Sequence, residues 1–442
     1  MNRRRFLGSA LAGAATSSLM VPSLNAADLC DCHLIAQAAP VPVENPNWQT
    51  VTSNVRITGM KVFGVSLTRD SDRPYVFVKL ETNQGVIGWG EGTLEGKAGA
   101  VMACIEDFRE FLIGKDPMQV EHHWQSMYVH SFYRAGPVIG SAISGIDQAL
   151  WDIRGKILGV PVYKLLGGPS DARGVRGYYH INAKSKEELQ AVRERATQIG
   201  VTCVKTGIPG YYEWIDTHQK IDEAIRGMQL LREGLGPDID IAVDFHAKTS
   251  PSVASIIVKE VEPLKLLFIE EPCPPENVAA MARVSRRSTT PIATGERLVA
   301  HYGTRELIEM GVIDILQTDI NHVGGITALW KVGQMAALSD ISMAPHACEG
   351  PIGGMATVNV DAATSNFLVQ EICSGVEPRQ TDKIWQEWMG FPIMRMVSGR
   401  FPLPDKPGLG FDLDEKALAK YPFAGTRPMA RAFHADGSVA EW

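Results

Sequence analysis

The sequence lacks three features that would each point to a broad class of protein. Beyond residue 27 it has no run of about 18 apolar residues, which a membrane-spanning helix needs. It has no positive surplus, since 43 Lys and Arg face 50 Asp and Glu, so nucleic acid is not an expected partner. It also lacks an even set of cysteines, since it has seven. A chain of 442 residues can bury a core without disulfides, so a disulfide-stabilised fold is not expected. We therefore expect an acidic protein without stable membrane insertion.

The amino terminus predicts an export signal over residues 1–27. Arg3, Arg4 and Arg5 precede Phe6 and Leu7, an apolar stretch of small residues follows, and residues 25–27 offer a small-residue cleavage site. The pattern is typical of a twin-arginine signal, and an ordinary secretory signal is the alternative. Cleavage removes three arginines and no acid, so the net charge of −7 becomes −10. We expect a periplasmic protein in which residues 28–53 form a linker.

Three apolar runs in the centre of the chain each end in a carboxylate. These carboxylates are Asp244, Glu270 and Glu296, and each lies 26 residues from the next. A strand and a returning helix with their loops take about this much chain, so the three side chains should stand at the same end of three successive parallel strands. Carboxylate oxygens are the ligands that Mg²⁺ prefers. The sequence therefore predicts one Mg²⁺ site on these three residues.

The same period continues through the following strands. Further apolar runs end at Asp319, His346 and Glu371, after steps of 23, 27 and 25 residues. Two earlier runs, over residues 175–180 and 202–205, fit the strands that come before. Eight such units predict a (β/α)₈ barrel, which we place over residues 171–385, and its active site should lie at the carboxyl ends of the strands.

The regions on either side of the barrel have different patterns. Alternating residues over 54–92 predict a β-meander, and apolar residues at helical spacing predict helices over 97–170. We expect these two parts to form one α+β capping domain over residues 54–170. The proline-rich segment 386–442 should pack back on that domain.

Several motifs resemble one superfamily of enzymes. They are Ala-Leu-Trp-Asp-Ile-Arg-Gly-Lys at 149–156, Ile-Glu-Glu-Pro at 269–272, Gly-Glu-Arg at 295–297 and Gly-Gly-Ile-Thr at 324–327. With the meander they resemble the mandelate racemase subgroup of the enolase superfamily, and the likeness spans residues 54–410. Asp-Phe-His at 244–246, Ala-Pro-His at 344–346 and Phe-Tyr-Arg at 132–134 resemble the D-galactonate dehydratase family most.

This resemblance implies a barrel with a capping domain, Mg²⁺ on the three carboxylates and a homo-oligomer. The sequence departs from the family after His346. There the family continues Cys-Pro-Leu-Gly-Pro, whereas residues 347–351 read Ala-Cys-Glu-Gly-Pro. Glu349 therefore adds a charge near the expected mouth of the site, which leaves the identity of the sugar acid open.

The strand ends also offer a base and an acid. His346 and Asp319 end neighbouring strands, and a carboxylate on one ring nitrogen would hold the tautomer and raise the basicity of the other. We assign His346 as the base and Asp319 as its orienter, with a packed barrel histidine as the alternative. His246 lies two residues after Asp244, so on an extended chain both face the same side. We assign it as the general acid, with a metal ligand or a substrate hydrogen bond as alternatives.

Three further polar residues are candidates for contact with the substrate. Glu371 could hydrogen-bond the enediolate, the anion that forms when the proton next to the substrate carboxylate is removed. Lys205 either binds the substrate carboxylate or forms a salt bridge inside the barrel. Arg134 either contacts the distal hydroxyls or makes a surface ion pair. Racemases of related subgroups carry Lys-x-Lys on the second strand, but here the sequence is Lys205-Thr206-Gly207, which disfavours a reaction that needs two bases.

These features predict a Mg²⁺-dependent sugar-acid dehydratase acting on a small molecule. His346 would remove the C2 proton, His246 would assist loss of the 3-hydroxyl, and a 2-keto-3-deoxy acid would form. A mannonate-type dehydratase, or an epimerase or racemase with a second base in residues 211–214, is an alternative on the same fold. An exported sugar-acid binding protein without chemistry is the alternative from another class.

Overall fold

The computed structural model describes residues 54–71, 73–347, 350–371, 380–390 and 395–441. The expected export signal over 1–27, the linker over 28–53 and Glu349 lie outside these residues. Within the described ranges no helix is long and apolar enough to cross a membrane.

The capping domain combines a three-stranded antiparallel meander with five helices. Its elements are β1 (Ile57–Val65), β2 (Tyr75–Thr82), β3 (Ile87–Glu91), α1 (Ala98–Asp107), α2 (Arg109–Leu112), α3 (Val120–His130), α4 (Pro137–Leu158) and α5 (Val162–Leu165). Helix α4 lies directly on β3, because Gly90 and Gly145 carry no side chains: a Cβ on Gly90 would lie 1.9 Å from the Gly145 carbonyl oxygen. This close contact joins the sheet to the longest helix of the domain.

The barrel contributes the next run of elements. Its strands are β4 (Val175–Arg176), β5 (Tyr179–His180), β6 (Cys203–Gly207), β7 (Asp240–Asp244), β8 (Phe268–Glu270), β9 (Ile292–Thr294), β10 (Ile315–Leu316) and β11 (Ser342–Met343). Its helices are α6 (Lys186–Ile199), α7 (His218–Leu235), α8 (Pro251–Glu260), α9 (Val278–Ser285), α10 (Ala300–Gly303), α11 (Arg305–Met310), α12 (Gly325–Ala337) and α13 (Pro351–Ala363), with a 3₁₀ turn at Glu262–Leu264. Four of these helices begin at a residue whose side-chain oxygen accepts the N–H three residues on: Ser185, Thr217, Ser250 and Asn277.

Seven of the strands, β5 to β11, pair in sequence order in one parallel sheet. The eighth predicted strand is reduced to bridges, in which Phe367 pairs with Met343 and Gln370 pairs with Gly177. These bridges join the two edges of the sheet. The first predicted strand, 175–180, is split: β5 enters the barrel, whereas β4 pairs antiparallel with β12 (Arg400–Phe401).

One buried layer shows that all eight segments contribute to the barrel interior. It consists of one side chain from each segment, alternating between larger and smaller residues over most of its length: Tyr178, Cys203, Ala242, Phe268, Ala293, Ile315, Ala344 and Val369. Such a filled interior is typical of an eight-stranded barrel. The predicted (β/α)₈-type barrel with an amino-terminal capping domain is thereby confirmed.

Buried polar contacts hold the capping domain against two barrel helices. Asp147 of α4 accepts hydrogen bonds from the Thr327 N–H (2.9 Å) and hydroxyl (2.6 Å) at the start of α12. Glu91 accepts from the Ile352 and Gly353 N–H groups at the start of α13 (3.1 and 3.0 Å). Burial raises the pKa of each carboxyl to about 7. These two helices follow the strands that lead to Asp319 and His346, so the cap is anchored next to the expected site.

The carboxyl-terminal segment contains α14 (Gln380–Met389), β12 and α15 (Glu415–Leu418). Trp388 packs edge-on against Tyr75 and Phe77 of β2, with ring centroids 5.6 and 5.9 Å away. Pro422 forms a bridge with Val65 of β1. The segment thus contacts the meander, while β12 contacts the barrel through β4.

Candidate active site

A cavity of about 550 Å³ opens at the carboxyl end of the barrel. Barrel residues form its floor, residues of the capping domain form one wall, and two residues near the carboxyl terminus complete it. The lining includes His180, Lys205, Asp244, His246, Glu296, Arg297, His322, His346 and Glu371 from the barrel, Arg73, Leu94, Glu95 and Pro137 from the cap, and Met429 and Glu441 from the tail.

The floor of the cavity lies two residues beyond the buried layer on every segment. At this position stand His180, Lys205, Asp244, Glu270, Gly295, Gln317, His346 and Glu371. Because side chains alternate along a strand, residues two apart project to the same side. The barrel interior therefore changes from apolar to mostly polar over one step, and five residues of that step line the cavity: His180, Lys205, Asp244, His346 and Glu371.

Lys205 lies among three of the floor carboxylates. Its Nζ is 2.6 Å from Glu270 Oε1, 3.1 Å from Glu371 Oε1 and 3.2 Å from Asp244 Oδ2. Burial opposes the charge of Lys205, but the surrounding anions raise its pKa well above the usual value. The salt-bridge alternative is therefore what the structure shows for Lys205. With its ammonium group occupied by three carboxylates, this lysine is not free to act as a base.

The carboxylates outnumber the cations that neutralise them. Burial, followed by the charge of Asp244, raises the pKa of Glu270 well above its usual value despite Lys205, and Glu371 and Glu296 add to the rise. Glu271, which follows Glu270, is ion-paired with Arg297 (2.8 Å) rather than placed on the cavity floor. The site thus has more buried carboxylates than cations to neutralise them.

This donor set fits a hard divalent cation. Asp244, Glu270 and Glu296 supply carboxylate oxygens only, the ligands that Mg²⁺ prefers. A bound cation would offset the burial and the repulsion from neighbouring carboxylates that together raise the pKa of Glu270. In the described part of the chain, no three His, Cys, Asp or Glu side chains are already arranged as a metal site. Lys205 Nζ occupies the space between Glu270 and Asp244.

His346 contacts Asp319, as predicted from the positions of the two residues at the ends of neighbouring strands. Nδ1 is 2.6 Å from Asp319 Oδ2, and Nε2 is 3.5 Å from Glu296 Oε2 and 3.9 Å from Glu371 Oε2. Burial disfavours the charged ring, but Glu371, the Asp319 hydrogen bond and Glu296 outweigh it, so the pKa of His346 is raised well above its usual value. Nε2 is the nitrogen available on the cavity side.

His246 reaches the site by a different backbone route from the one expected. It has a φ of 47° and the next residue, Ala247, a φ of 52°, so the chain turns after Asp244 and is not extended there. The turn is held by the His246 N–H donating to Asp244 Oδ1 (2.8 Å). His246 Nε2 still lies 3.2 Å from Asp244 Oδ2. Burial lowers the pKa of His246 in spite of this neighbour.

The prediction for Arg134 is not supported by its position. Arg134 is exposed, its guanidinium lies over the Tyr128 ring at 5.9 Å, and it is not among the residues of the cavity lining. Arg73, in the loop between β1 and β2, lines the cavity instead and lies 3.5 Å from Glu95. An arginine in an irregular loop gives no periodic signal, so sequence patterns could not select it.

His180 is a site residue that the sequence analysis did not select. Its Nε2 lies 2.7 Å from Glu371 Oε1, across the closure of the barrel. A signal for it was present, because His180 ends the first apolar run just as Asp244 ends the third. Glu371 therefore contacts both Lys205 and His180.

Replacing Lys205 with Met should destabilise the protein strongly. The change leaves Glu270, Glu371 and Asp244 buried without their shared cation, a loss that costs about 3–5 kcal/mol. The free energy of unfolding, measured by urea denaturation with chelator present, should fall by this amount. The matched control is Lys79→Met: this buried lysine pairs with Glu81 and Glu415 (2.7 and 2.5 Å), which stay about one-third exposed. Its loss should cost about 1 kcal/mol or less, and equal losses in the two variants would contradict the prediction.

Comparison with known proteins places the chain in a family. Residues 49–167 match the amino-terminal domain of mandelate racemase and muconate lactonizing enzymes, and residues 187–417 match the enolase carboxyl-terminal domain-like family. The chain belongs to the mandelate racemase/muconate lactonizing enzyme family. It is therefore an enzyme of the enolase superfamily, as the motifs indicated.

Individual members of this family match most of the chain. A D-galactonate dehydratase of Cronobacter sakazakii is 38% identical over 371 residues, which is 83% of this chain and 96% of the relative. One from Ralstonia pickettii is 37% identical over 377 residues, with the same coverage. Among solved structures, an enolase from Pantoea ananatis with bound D-gluconate and Mg is 30% identical, with a TM-score of 0.78 over 88% of this chain and all of that one.

Proposed function

We propose that this protein is a Mg²⁺-dependent dehydratase of sugar acids that converts an aldonate to its 2-keto-3-deoxy acid. The observation that carries the proposal is the pair of histidines at opposite flanks of the carboxylate cluster. His246 contacts Asp244, which ends β7, and His346 faces Glu296, which follows β9. Glu270 ends β8 between them. A dehydration needs a proton acceptor and a proton donor around one bound substrate, and this arrangement provides both.

The contacts of the two rings suit the two roles. Asp319 binds His346 Nδ1 and so holds the neutral tautomer whose Nε2 faces the cavity and can accept a proton. His246 lines the cavity on the other flank of the cluster, with Nε2 3.2 Å from Asp244 Oδ2, and is assigned as the proton donor. His346 then takes the C2 proton, and His246 gives a proton to the departing 3-hydroxyl, which leaves as water. The enol that remains takes up a proton at C3 and becomes the ketone.

Asp244, Glu270 and Glu296 are the proposed ligands of one Mg²⁺ per subunit. When bound, the cation would stabilise the negative charge that forms on the substrate carboxylate after loss of the C2 proton. The support is the donor set itself, the burial and carboxylate repulsion that raise the pKa of Glu270, and the Mg in the Pantoea ananatis relative. Glu371 contacts Lys205 and His180 and borders the same cavity, and we propose that it hydrogen-bonds the substrate.

Epimerisation or racemisation is less well supported, because both need a second base. Gly207, where related racemases have a second lysine, has no side chain, and Lys205 is bound by three carboxylates. Neither tyrosine that follows β6 is a base in the cavity: the Tyr212 hydroxyl donates to the Pro209 carbonyl (3.1 Å), and Lys248 lies over the Tyr211 ring. Among the residues described around the cavity, the ring on the flank opposite His346 is that of His246, to which the proposal gives the role of acid.

The deciding experiment is a screen of the purified mature protein with Mg²⁺. D-galactonate, D-gluconate and D-mannonate would be offered separately, and the 2-keto-3-deoxy product would be measured. Turnover of any one establishes the dehydratase, and the preferred acid separates a galactonate-type from a mannonate-type enzyme. Exchange of the C2 proton with solvent deuterium without loss of water would instead indicate an epimerase. Binding without exchange or turnover would indicate a sugar-acid binding protein.

We propose that residues 1–27 export the folded protein to the periplasm by the twin-arginine route. The support is the Arg3-Arg4-Arg5-Phe6-Leu7 sequence and the small residues at 25–27. Fractionation of cells that express the full chain should place the enzyme in the periplasm. The double variant Arg3→Lys, Arg4→Lys should retain it in the cytoplasm, whereas export of that variant would indicate the ordinary secretory route.

We also propose that the enzyme is a homo-oligomer. Phe132 and Tyr133 in the capping domain are 80% and 82% exposed, and Trp214 in the barrel is 79% exposed. Exposed large apolar side chains of this kind often mark an interface between protein chains. Light scattering on the purified protein would give the mass, and a monomer would refute the proposal.

A further inference from the structure

The last described residues of the chain form part of the cavity wall. We call residues 427–441 the tail strap. It lies beyond residue 417, where the match to the enolase family ends, yet Met429 and Glu441 both line the cavity. The wall of the site is thus completed by a segment outside the matched barrel domain.

The tail strap has an ordered turn of its own. Phe433 and Val439 form an antiparallel bridge, the Ala440 N–H donates to the Ala432 carbonyl (3.0 Å), and the His434 N–H donates to the Ser438 carbonyl (2.9 Å). These bonds fold residues 432–440 into a short hairpin that leads directly to Glu441.

Contacts at both ends attach this hairpin to the rest of the protein. His434 Nδ1 lies 3.1 Å from Glu213 Oε1, in the loop that follows β6. Glu441 Oε2 lies 3.8 Å from Arg297 Nη1. At the start of the strap, Met429 packs against Gly96 of the capping domain, where a Cβ would lie 3.3 Å from Met429 Cγ. The strap therefore connects the cap to two barrel loops across the mouth of the site.

The strap brings a negative charge to the wall of the cavity. The Glu441 side chain is 56% exposed, so it is a wall group accessible to a ligand. Arg297 is shared among three carboxylates, because it also lies 2.8 Å from Glu271 and 3.7 Å from Glu296. It therefore does not fully neutralise Glu441. The other charged wall groups, Arg73 and Glu95, pair with each other. Glu441 thus adds a negative charge to this part of the wall.

We propose that Glu441 makes the enzyme selective for monocarboxylic sugar acids and excludes acids with a carboxylate at both ends. The inference rests on the proposed function, in which one carboxylate of the substrate lies at Asp244, Glu270 and Glu296. The rest of the substrate then extends towards the wall. A hydroxyl at its far end can donate a hydrogen bond to the Glu441 carboxylate, whereas a second carboxylate there is repelled.

The test compares two acids that differ only at the far end, D-galactonate and galactarate. Both the ratio of their kcat/KM values and the ratio of their Kd values, from thermal-shift titrations with Mg²⁺, would be measured. Glu441→Gln keeps the shape of the side chain and removes its charge. We expect the variant to move both ratios about tenfold towards galactarate, a typical size for one removed charge at a partly exposed site. Asp436→Asn, in the exposed turn of the same strap, removes the same charge away from the cavity and should leave the ratios unchanged.

Two results would overturn the assignment of Glu441. One is an unchanged pair of ratios in Glu441→Gln, and the other is an equal change in Asp436→Asn, which would indicate a general effect of net charge. The binding ratio keeps this inference separate from the proposed reaction. If neither acid is turned over but the Kd ratio shifts as expected, Glu441 keeps its role and the dehydration fails. If neither acid binds, both are refuted.

Discussion

Replacing His346 with Asn should lower kcat for the preferred sugar acid by about 10²–10⁴-fold or more, the range that a positioned general base contributes. Asn is smaller than His, and its amide NH₂ can still donate a hydrogen bond to Asp319, but it cannot take a proton from carbon. His346 Nε2 is the nitrogen that faces Glu296 and the cavity. The measurement is single-turnover formation of the 2-keto-3-deoxy acid, with exchange of the C2 proton followed in deuterated buffer.

Exchange is the sharper of these two readouts. If His346 removes the C2 proton, exchange and product formation must fall together in His346→Asn. If only product formation falls and exchange persists, another group removes the proton and the assignment is wrong. His123→Asn is the matched control, because His123 is also buried but lies in α3 of the capping domain and does not line the cavity. Its Nε2 is 2.8 Å from the Asp116 carbonyl oxygen. That variant should retain both exchange and turnover.

Asp319→Asn tests the second half of the same assignment. The amide would present either an oxygen or an NH₂ group to His346 Nδ1, so the tautomer with a free Nε2 would no longer be enforced. We expect a loss in kcat with little change in KM, because Asp319 is fully buried behind the ring and does not line the cavity. A change in KM alone would assign Asp319 to substrate binding instead.

The sequence predicted the floor of the site well because of one physical regularity. The strands of a parallel barrel are in register, so a constant residue spacing places equivalent positions at one height. Apolar residues at Ala242, Phe268 and Ala344 are each followed, two positions on, by the polar residues Asp244, Glu270 and His346. That pattern is visible without a structure, and it gave the barrel and most of its floor.

Other residues of the site lie outside this regularity, and two of them show where it stops. Glu296 stands three positions after its buried-layer residue Ala293, and the extra position is Gly295, whose φ of 144° redirects the chain. His246 reaches the site through the left-handed turn after Asp244. The sequence identified both residues, but the geometry argued for His246 was wrong, because period-two reasoning applies only where the backbone is extended.

The wall of the cavity could not be predicted from local patterns. Arg73 and Glu95 lie in loops of the capping domain, and Glu441 lies 70 residues beyond Glu371, the last residue of the barrel floor. Their placement depends on how three separate parts of the chain pack together. No periodic signal encodes such long-range contacts, which is why the reaction type could be argued from sequence while the substrate could not.

Removal of the divalent cation should abolish turnover, and Mg²⁺ should restore it. We expect activity in excess EDTA to be below about 1% of that with Mg²⁺, because loss of the charge that stabilises the deprotonated substrate costs several kcal/mol. Binding has an independent readout: at 100 times its Kd the ion should add about 2.7 kcal/mol to the free energy of unfolding. Isothermal titration calorimetry would give the stoichiometry, which we expect to be one Mg²⁺ per subunit.

Glu270→Gln connects that binding to the proposed ligands. Glu270 is fully buried between Lys205 and Gln317, whose amide donates to Oε2 at 2.8 Å. Replacement by Gln keeps the shape but removes the negative charge that attracts the cation. We expect Mg²⁺ stabilisation to be lost in this variant and kept in Glu309→Gln, where the carboxylate is a surface partner of Arg305. Equal stabilisation of the two variants would place the ion elsewhere. If the free energy of unfolding without Mg²⁺ were higher for Glu270→Gln than for the wild type, the buried carboxylates would be shown to destabilise the protein when no ion is bound.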